Sequence, residues 1–355
     1  MIKRKFRSAT LGLLLPSLLA GGSACSLIND DTGPCSPSYL VRFIYERNMK
    51  FTDAFPQEVE SVHLYVLDAA GNVVYDQRER GDALKAAGYT MTIPVDPGNY
   101  RLLAWCSTND GNSYTLNAEP SGYSSEGSKA DAWLACRINA TADATAATGK
   151  AASFLTPDSV SVSHDLDPLY HGILTDAELP NDASTHTLTV PLTKNTNRIR
   201  ILLQHLSGEA LDVDDFTFEI VADNGLMLLD NSVVSGNPVS YAPHHTSSGD
   251  TELDGIDGGV LSVAMAEFTV GRLVTTDSPR LIVRERASDD VIISVPINDY
   301  ILMVKGYEWA DMDSQEYLDR EENYNFTFFL DERDRWLDAY VYINSWRIVL
   351  HPSSL

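Results

Sequence analysis

Four cysteines, eight histidines and fifty acidic side chains could support covalent, metal or acid–base chemistry in this 355-residue chain, and their spacing decides which. A nucleophile or phosphate cradle needs a fixed local pattern, and no GxSxG elbow, GxxxxGKS/T loop, GxGxxG turn or HExxH helix occurs. His244 and His245 are adjacent, and neighbours on an extended chain point to opposite sides, so both are expected to be solvated rather than to share a metal. "DVDDF" and "DGIDGG" offer oxygen ligands without the spacing of a calcium loop. So many carboxylates make any pair a chance event, and no glycoside-cleaving pair stands out. No CxxC or Cys/His cluster suits zinc. The expectation is a protein that is not an enzyme, with no cofactor, no metal and no small-molecule substrate. Trp105, Trp133, Trp309, Trp336 and Trp346 could form a sugar-stacking platform, but in an all-β chain they are expected in the core.

Cys25 stands apart. A basic start (Lys3, Arg4, Lys5, Arg7) and an apolar run over residues 11–19, too short to cross a bilayer as a helix, form an export signal. Gly22, Ser23 and Ala24 lead into Cys25, a stretch that resembles the lipobox of bacterial lipoproteins, with Gly22 where that motif usually carries leucine. The resemblance implies cleavage between Ala24 and Cys25 and acylation of the Cys25 sulfur, with palmitate as the expected kind of chain. Asp30 and Asp31 resemble the acidic tag that sends some lipoproteins of Gram-negative anaerobes to the outer face of the outer membrane. Cys35, Cys106 and Cys136 remain, an odd set that allows one disulfide and one spare thiol in an oxidising periplasm, with the pairing open.

The elements that must carry these residues are strands. Leu188, Val190 and Leu192 alternate, as do Ile199, Ile201 and Leu203, then Phe216, Phe218 and Ile220. Near the end, Tyr324, Phe326, Phe328 and Leu330 share one face, and Leu337, Ala339, Val341 and Ile343 another. Helical periodicity is confined to short stretches at residues 82–87, 130–138 and "DSQEYLDREENY", where Asp313 can cap and Glu316 can pair with Arg320. "VDPGNYRLLAW" predicts a turn at Pro97 and Gly98 feeding a strand that ends at Trp105. "VHLYVLDAAGNVVY" and "FTFEIVADNGLMLL" echo one another as strand, turn and strand, one hairpin in each half. Residues 138–153 and 235–259 read as loops. A sheet with one apolar face must bury it against another, so the expected fold is all-β, two β-sandwich domains in tandem with few short helices. The expected divisions are 1–24 signal peptide, 25–37 lipidated tether, 38–194 first sandwich and 195–355 second, with residues 195–197 as the polar boundary. The net charge of -24 repels polyanions and leaves nucleic acid an unsuitable partner.

Longer stretches carry a family resemblance. "CSLINDDTGPCSPSYLVRFIYERNMKFTDAFPQEVESVHLYVLDAAGNVV", "GYTMTIPVDPGNYRLLAW", "PLYHG", "LTKNTNRIRILL", "FTFEIVADNG", "SQEYLDREENYNFTFFLD" and "VYINSWRI" follow in order from Cys25 to near the C-terminus. Together they resemble the fimbrillin-associated anchor lipoproteins of the type V pili of Gram-negative gut and oral anaerobes. The resemblance implies two transthyretin-like sandwiches on a lipidated N-terminus, in the outer membrane at the base of a fimbrium. It implies a shaft subunit and, through acylated Cys25, membrane lipid as partners. It also implies contacts by strand addition that tether the shaft and help end its growth, and nothing catalytic. Cys25 transfers as the acylated residue, and Cys35 matches the second cysteine such anchors carry before the first strand. In related shaft subunits an Arg- or Lys-specific protease is thought to remove the first strand. Arg42, Arg47 and Lys50 lie in or just after that strand here, where a wet-face position is the simpler account. Trp346, Ile348 and Leu350 alternate in a candidate donor strand whose alternative is the closing strand of the second sandwich. Two rival readings are a surface glycan-binding lipoprotein and a tip or shaft fimbrillin.

Overall fold

The computed structural model describes residues 36–108, 113–116, 134–141, 160–205, 207–252, 260–337, 340–344 and 346–349. The chain is all-β. Its first half contributes β1 (Ser38–Ile44), β2 (Ser61–Leu67), β3 (Val73–Arg80), β4 (Met91–Thr92), β5 (Gly98–Ser107), β6 (Tyr114–Leu116), β7 (Cys136–Ile138), β8 (Val160–Val162), β9 (Leu169–Leu179) and β10 (Thr185–Lys194). The second contributes β11 (Thr196–His205), β12 (Phe216–Ala222), β13 (Leu226–Met227), β14 (Val239–Tyr241), β15 (His245–Glu252), β16 (Val260–Gly271), β17 (Arg280–Glu285), β18 (Val291–Pro296), β19 (Asn323–Leu330), β20 (Tyr340–Ile343) and β21 (Trp346–Val349). Three short helices join them: α1 (Phe55–Glu58), α2 (Ile297–Glu308) and α3 (Ser314–Arg320).

One sheet runs β3-β2-β5-β9-β10-β1-β4 and folds over on itself. Tyr39, Val41 and Phe43 of β1 thereby share a core with Val62, Leu64 and Val66 of β2 and with Leu102 and Ala104 of β5. The fold-over falls between β9 and β10, which keep only three paired positions, Leu192 with Gly172, Thr193 with His171 and Lys194 with Tyr170. Gly172 permits it: a Cβ there would lie 2.7 Å from the Leu192 and Val190 side chains and 2.8 Å from the Pro191 carbonyl.

Two further sheets, β15-β16-β11-β19-β20-β21 and β18-β17-β12-β14-β8, pack face to face. Ile201, Phe326 and Phe328 from the first meet Phe218, Ile220 and Val283 from the second, as the period-two pattern requires. A three-stranded sheet, β13-β7-β6, covers the outer face of β2 and β5, so Tyr65, Leu67, Leu103 and Trp105 are buried there. That second covering explains why β2 and the middle of β5 are buried on both faces instead of alternating.

Several elements depart from expectation. Cys136–Ile138 is a strand, held between β6 and β13, where a helical turn was expected. The first hairpin forms, because the Asp68 carboxylate accepts from the Ala70 and Asn72 amides and closes a tight turn between β2 and β3. The second does not: β13 pairs with β7, and β12 pairs with β14 and β17. There the Asp223 carboxylate accepts from the Gly236 and Asn237 amides, thirteen and fourteen residues on, which draws the chain away from a local turn. Of residues 235–259, expected as a loop, 235–252 hold β14 and β15, and 253–259 lie outside the described residues. β15 (HTSSGDTE) takes its ladder from β16 alone, so backbone pairing rather than apolar side chains makes it a strand. Residues 195–197 are buried: Asn195 and Asn231 exchange amide hydrogen bonds of 2.6 and 3.1 Å, which satisfies polar groups inside the crossing from β10 to β11. Ile138, Val162 and Leu166, although ahead of that crossing, join the core of the second sheet pair.

Candidate subunit-docking site

Strand β1 is the first described strand after the Cys25 segment, and it carries Arg42. Tyr39, Val41 and Phe43 point inward while Arg42 points to solvent, the period-two pattern of a strand with one wet face. It runs parallel to β10 over seven paired positions, Ser38 with Thr185 through Ile44 with Pro191, and antiparallel to β4 over two. Phe43 stacks on Phe55 at 5.7 Å, and both stack near Tyr89. At about 1.5–3 kcal/mol for each large apolar side chain, the groove under β1 gains several kcal/mol from being filled, whichever strand fills it.

Beyond β1 the chain enters a cross-braced loop. The Asp53 carboxylate accepts from the Tyr45 amide at 2.9 Å and the Phe55 amide at 3.0 Å. Buried Asn48 donates to the Tyr45 and Thr52 carbonyls, both at 2.8 Å. The loop sits against α3, whose start is capped by Asp313 accepting from the Gln315 and Glu316 amides, and Glu316 pairs with Arg320 at 2.7 Å, as the sequence predicts. On its inner side Asp319, 2% exposed, receives two 2.9 Å hydrogen bonds from Arg272 and one of 3.0 Å from Gln315. Lys194 bridges Glu58 of the first half to Glu322 of the second.

These contacts wall a cleft of about 440 Å³ between the halves, lined by Ile44, Glu46, Arg47, His171, Arg272 and Arg320 among others. His171, 3% exposed, donates from Nε2 to the Leu229 carbonyl at 2.7 Å and meets Trp105 edge-on. Burial lowers its pKa to about 4, because an imidazolium there would lose its water. Unfolded imidazole binds a proton below about 6.5, so between pH 6.5 and 4 the unfolded state carries the extra proton. Stability present above pH 6.5 is therefore expected to fall by up to about 3 kcal/mol towards pH 4. Urea midpoints in His171→Gln should flatten over that window, and an unchanged slope would contradict it.

The remaining residues singled out from sequence fall as follows. Ala24, Cys25, Cys35, Trp133 and Leu350 lie outside the described residues. Cys106 and Cys136 are buried free thiols in different core clusters, so they do not form the disulfide together, and burial raises both thiol pKa values. Trp346 and Ile348 belong to β21, which is paired with β20 at the edge of its sheet. Arg42 is exposed beside Asp53 at 3.8 Å, and Arg47 stands 3.9 Å from Asp319. His244 is half-buried, 3.8 Å from Asp165, and His245 is exposed. Among the described residues, no three His, Cys, Asp or Glu side chains gather as a metal site, and no helix is long and apolar enough to cross a membrane. Trp105 is buried, while Trp309 and Trp336 pack half-buried against the second core, so these three form no exposed platform. The contacts of Arg320 with the Glu46 and Asn48 carbonyls were missed from sequence, since these partners lie more than 270 residues away.

The model of the fimbrillin-A associated anchor proteins Mfa1 and Mfa2 matches residues 32–352. A candidate adhesin from Bacteroides thetaiotaomicron has the same fold at a TM-score of 0.76 and 30% identity, over 90% of this chain and 100% of its own. A candidate polysaccharide-binding protein of that species follows at 0.71 and 26%, over 90% and 99%. The fimbrial anchor protein Mfa2 from Porphyromonas gingivalis shares the fold at 0.61 and 16%, over 89% and 100%. No curated protein matches the sequence.

Proposed function

Because the chain belongs to the family of fimbrillin-A associated anchor proteins, and is thus a fimbria-associated surface protein, we propose that it is the outer-membrane lipoprotein that holds a fimbrium to the cell and limits its growth. The observation that carries this reading is the family match along nearly the whole body, with Cys25 standing just ahead of the first strand. Acylated Cys25 supplies the hold on lipid, and an open sheet edge pairs with an extended strand of a shaft subunit. Strand β1 suits the anchoring end of a polymer. A tether attached ahead of Ser38 pulls β1 along its own axis, so the seven-position ladder to β10 must shear together instead of opening one bond at a time. As long as β1 stays in place, its groove is filled from within and takes no strand from another subunit, which limits growth at this end.

Deleting the gene and imaging the cells tests the proposal. Shed or overlong fimbriae are expected, and normal attachment at normal length would contradict it. Polysaccharide binding, the description carried by one structural neighbour, is the second reading. Tight, saturable retention on polysaccharide gels would favour it.

A further inference from the structure

We propose that Arg320 is a latch that fastens the chain leaving β1 to the C-terminal half, so that β1 is held by both halves of the molecule. The inference rests on the reading that the mature protein keeps β1. Arg320 ends α3 and points across to the first half, with its side chain 16% exposed. Its Nη1 donates to the Glu46 carbonyl at 3.0 Å and to the Asn48 carbonyl at 3.3 Å, and its Nε donates to Glu316 at 2.7 Å. The guanidinium also lies over the Phe51 ring, 4.6 Å from the centroid.

Phe51 gives the second, independent sign. It is 51% exposed, and its φ of 51° is a left-handed conformation that a bulky residue rarely adopts. A strained, exposed aromatic is retained where surrounding contacts over-determine it. Here those contacts are the Arg320 guanidinium on its face and Trp309 at 5.8 Å. Both lie in the second half of the chain.

The loop carries the hold back to β1. Asn48 ties its own turn to the Tyr45 and Thr52 carbonyls, Asp53 accepts from the Tyr45 amide, and the Ala54 amide donates to the Tyr45 carbonyl. Tyr45 directly follows Ile44, the last residue of β1, so a pull on β1 reaches the two carbonyls that Arg320 grips. The Arg320 end is fixed in turn. Tyr317, Leu318 and Asp319 of α3 are buried, and Asp319 is locked to Arg272. Arg47 contributes little, because it is 43% exposed and stands 3.9 Å from Asp319. The device therefore couples loss of β1 to loosening of α3, at the wall of the cleft between the halves.

Hydrogen exchange of the full mature chain, followed by mass spectrometry, tests it. In Arg320→Ala, amides of β1 and of residues 45–54 should exchange about tenfold faster, since the Glu46 and Asn48 carbonyls lose their charged donor, while peptides from β12 and β17 stay unchanged. Arg320→Lys should be intermediate, because the ammonium lacks the planar fork. Phe51→Ala should give a few-fold change and Arg47→Ala none. The inference is overturned if β1 exchange is unchanged in Arg320→Ala, or if β12 and β17 accelerate equally. Should Arg320→Ala fail to fold, Arg320→Lys and Phe51→Ala decide by the same comparison. The uncut protein reads the latch alone, whereas the N-terminus of the native protein reads whether β1 is kept, so the two failures are distinct.

Discussion

Cys25→Ser is expected to remove the protein from the outer-membrane fraction and, on the proposed reading, to leave fimbriae without that attachment. Acyl transfer and signal cleavage of a lipoprotein need the cysteine sulfur, and serine offers a hydroxyl in its place. Each acyl CH₂ buried in lipid contributes about 0.8 kcal/mol, and stable anchoring takes more than one chain, so losing acylation removes the whole attachment. Among the described residues no helix is long and apolar enough to span a bilayer, and the chain carries a net charge of -24. Fractionation followed by detection of the protein checks this. A Cys25→Ser protein that still fractionates with the outer membrane would show that something other than the lipid holds it there.

Asp319→Ala is expected to cost about 3–5 kcal/mol of folding stability. The carboxylate is 2% exposed and takes two hydrogen bonds from Arg272, itself 13% exposed, and one from Gln315. Removing it strands a guanidinium whose one remaining hydrogen bond is to the Asn231 carbonyl, and a buried unpaired charge is far more costly than a missing contact. The pair itself adds little beyond a well-packed apolar replacement, because both ions lose their water on burial. The double variant Asp319→Leu with Arg272→Met should therefore be more stable than Asp319→Ala alone. Urea midpoints of the wild type, Asp319→Leu, Arg272→Met and the double variant close the cycle, and an Asp319→Ala loss below about 1 kcal/mol would contradict the argument.

The strands were legible because their burial is one-sided. Ile199, Ile201 and Leu203, like Tyr324, Phe326, Phe328 and Leu330, alternate and are buried as the alternation requires. The cap and ion pair of α3 were legible because both are local in sequence. Helix α2 was not, although Ile297, Tyr300, Ile301 and Val304 hold helical spacing and are buried. The apolar strand β18 runs straight into it and blurs the change of period. β15 was missed for the opposite reason, since an edge strand paired on one side can be polar throughout. At the candidate site the inward face of β1 was readable, and so was the exposed Arg42. What braces β1 was not. The contacts of Arg320 with Glu46 and Asn48 span the chain, and no local spacing encodes them.

The start of the mature chain separates an anchor from a shaft subunit. Mass spectrometry of the protein purified from its native membrane should find an N-terminus at Cys25 carrying acyl chains, with β1 intact behind it. An unacylated N-terminus would contradict the anchor reading, and one beginning beyond Arg42 would mark the protein as a subunit of the shaft.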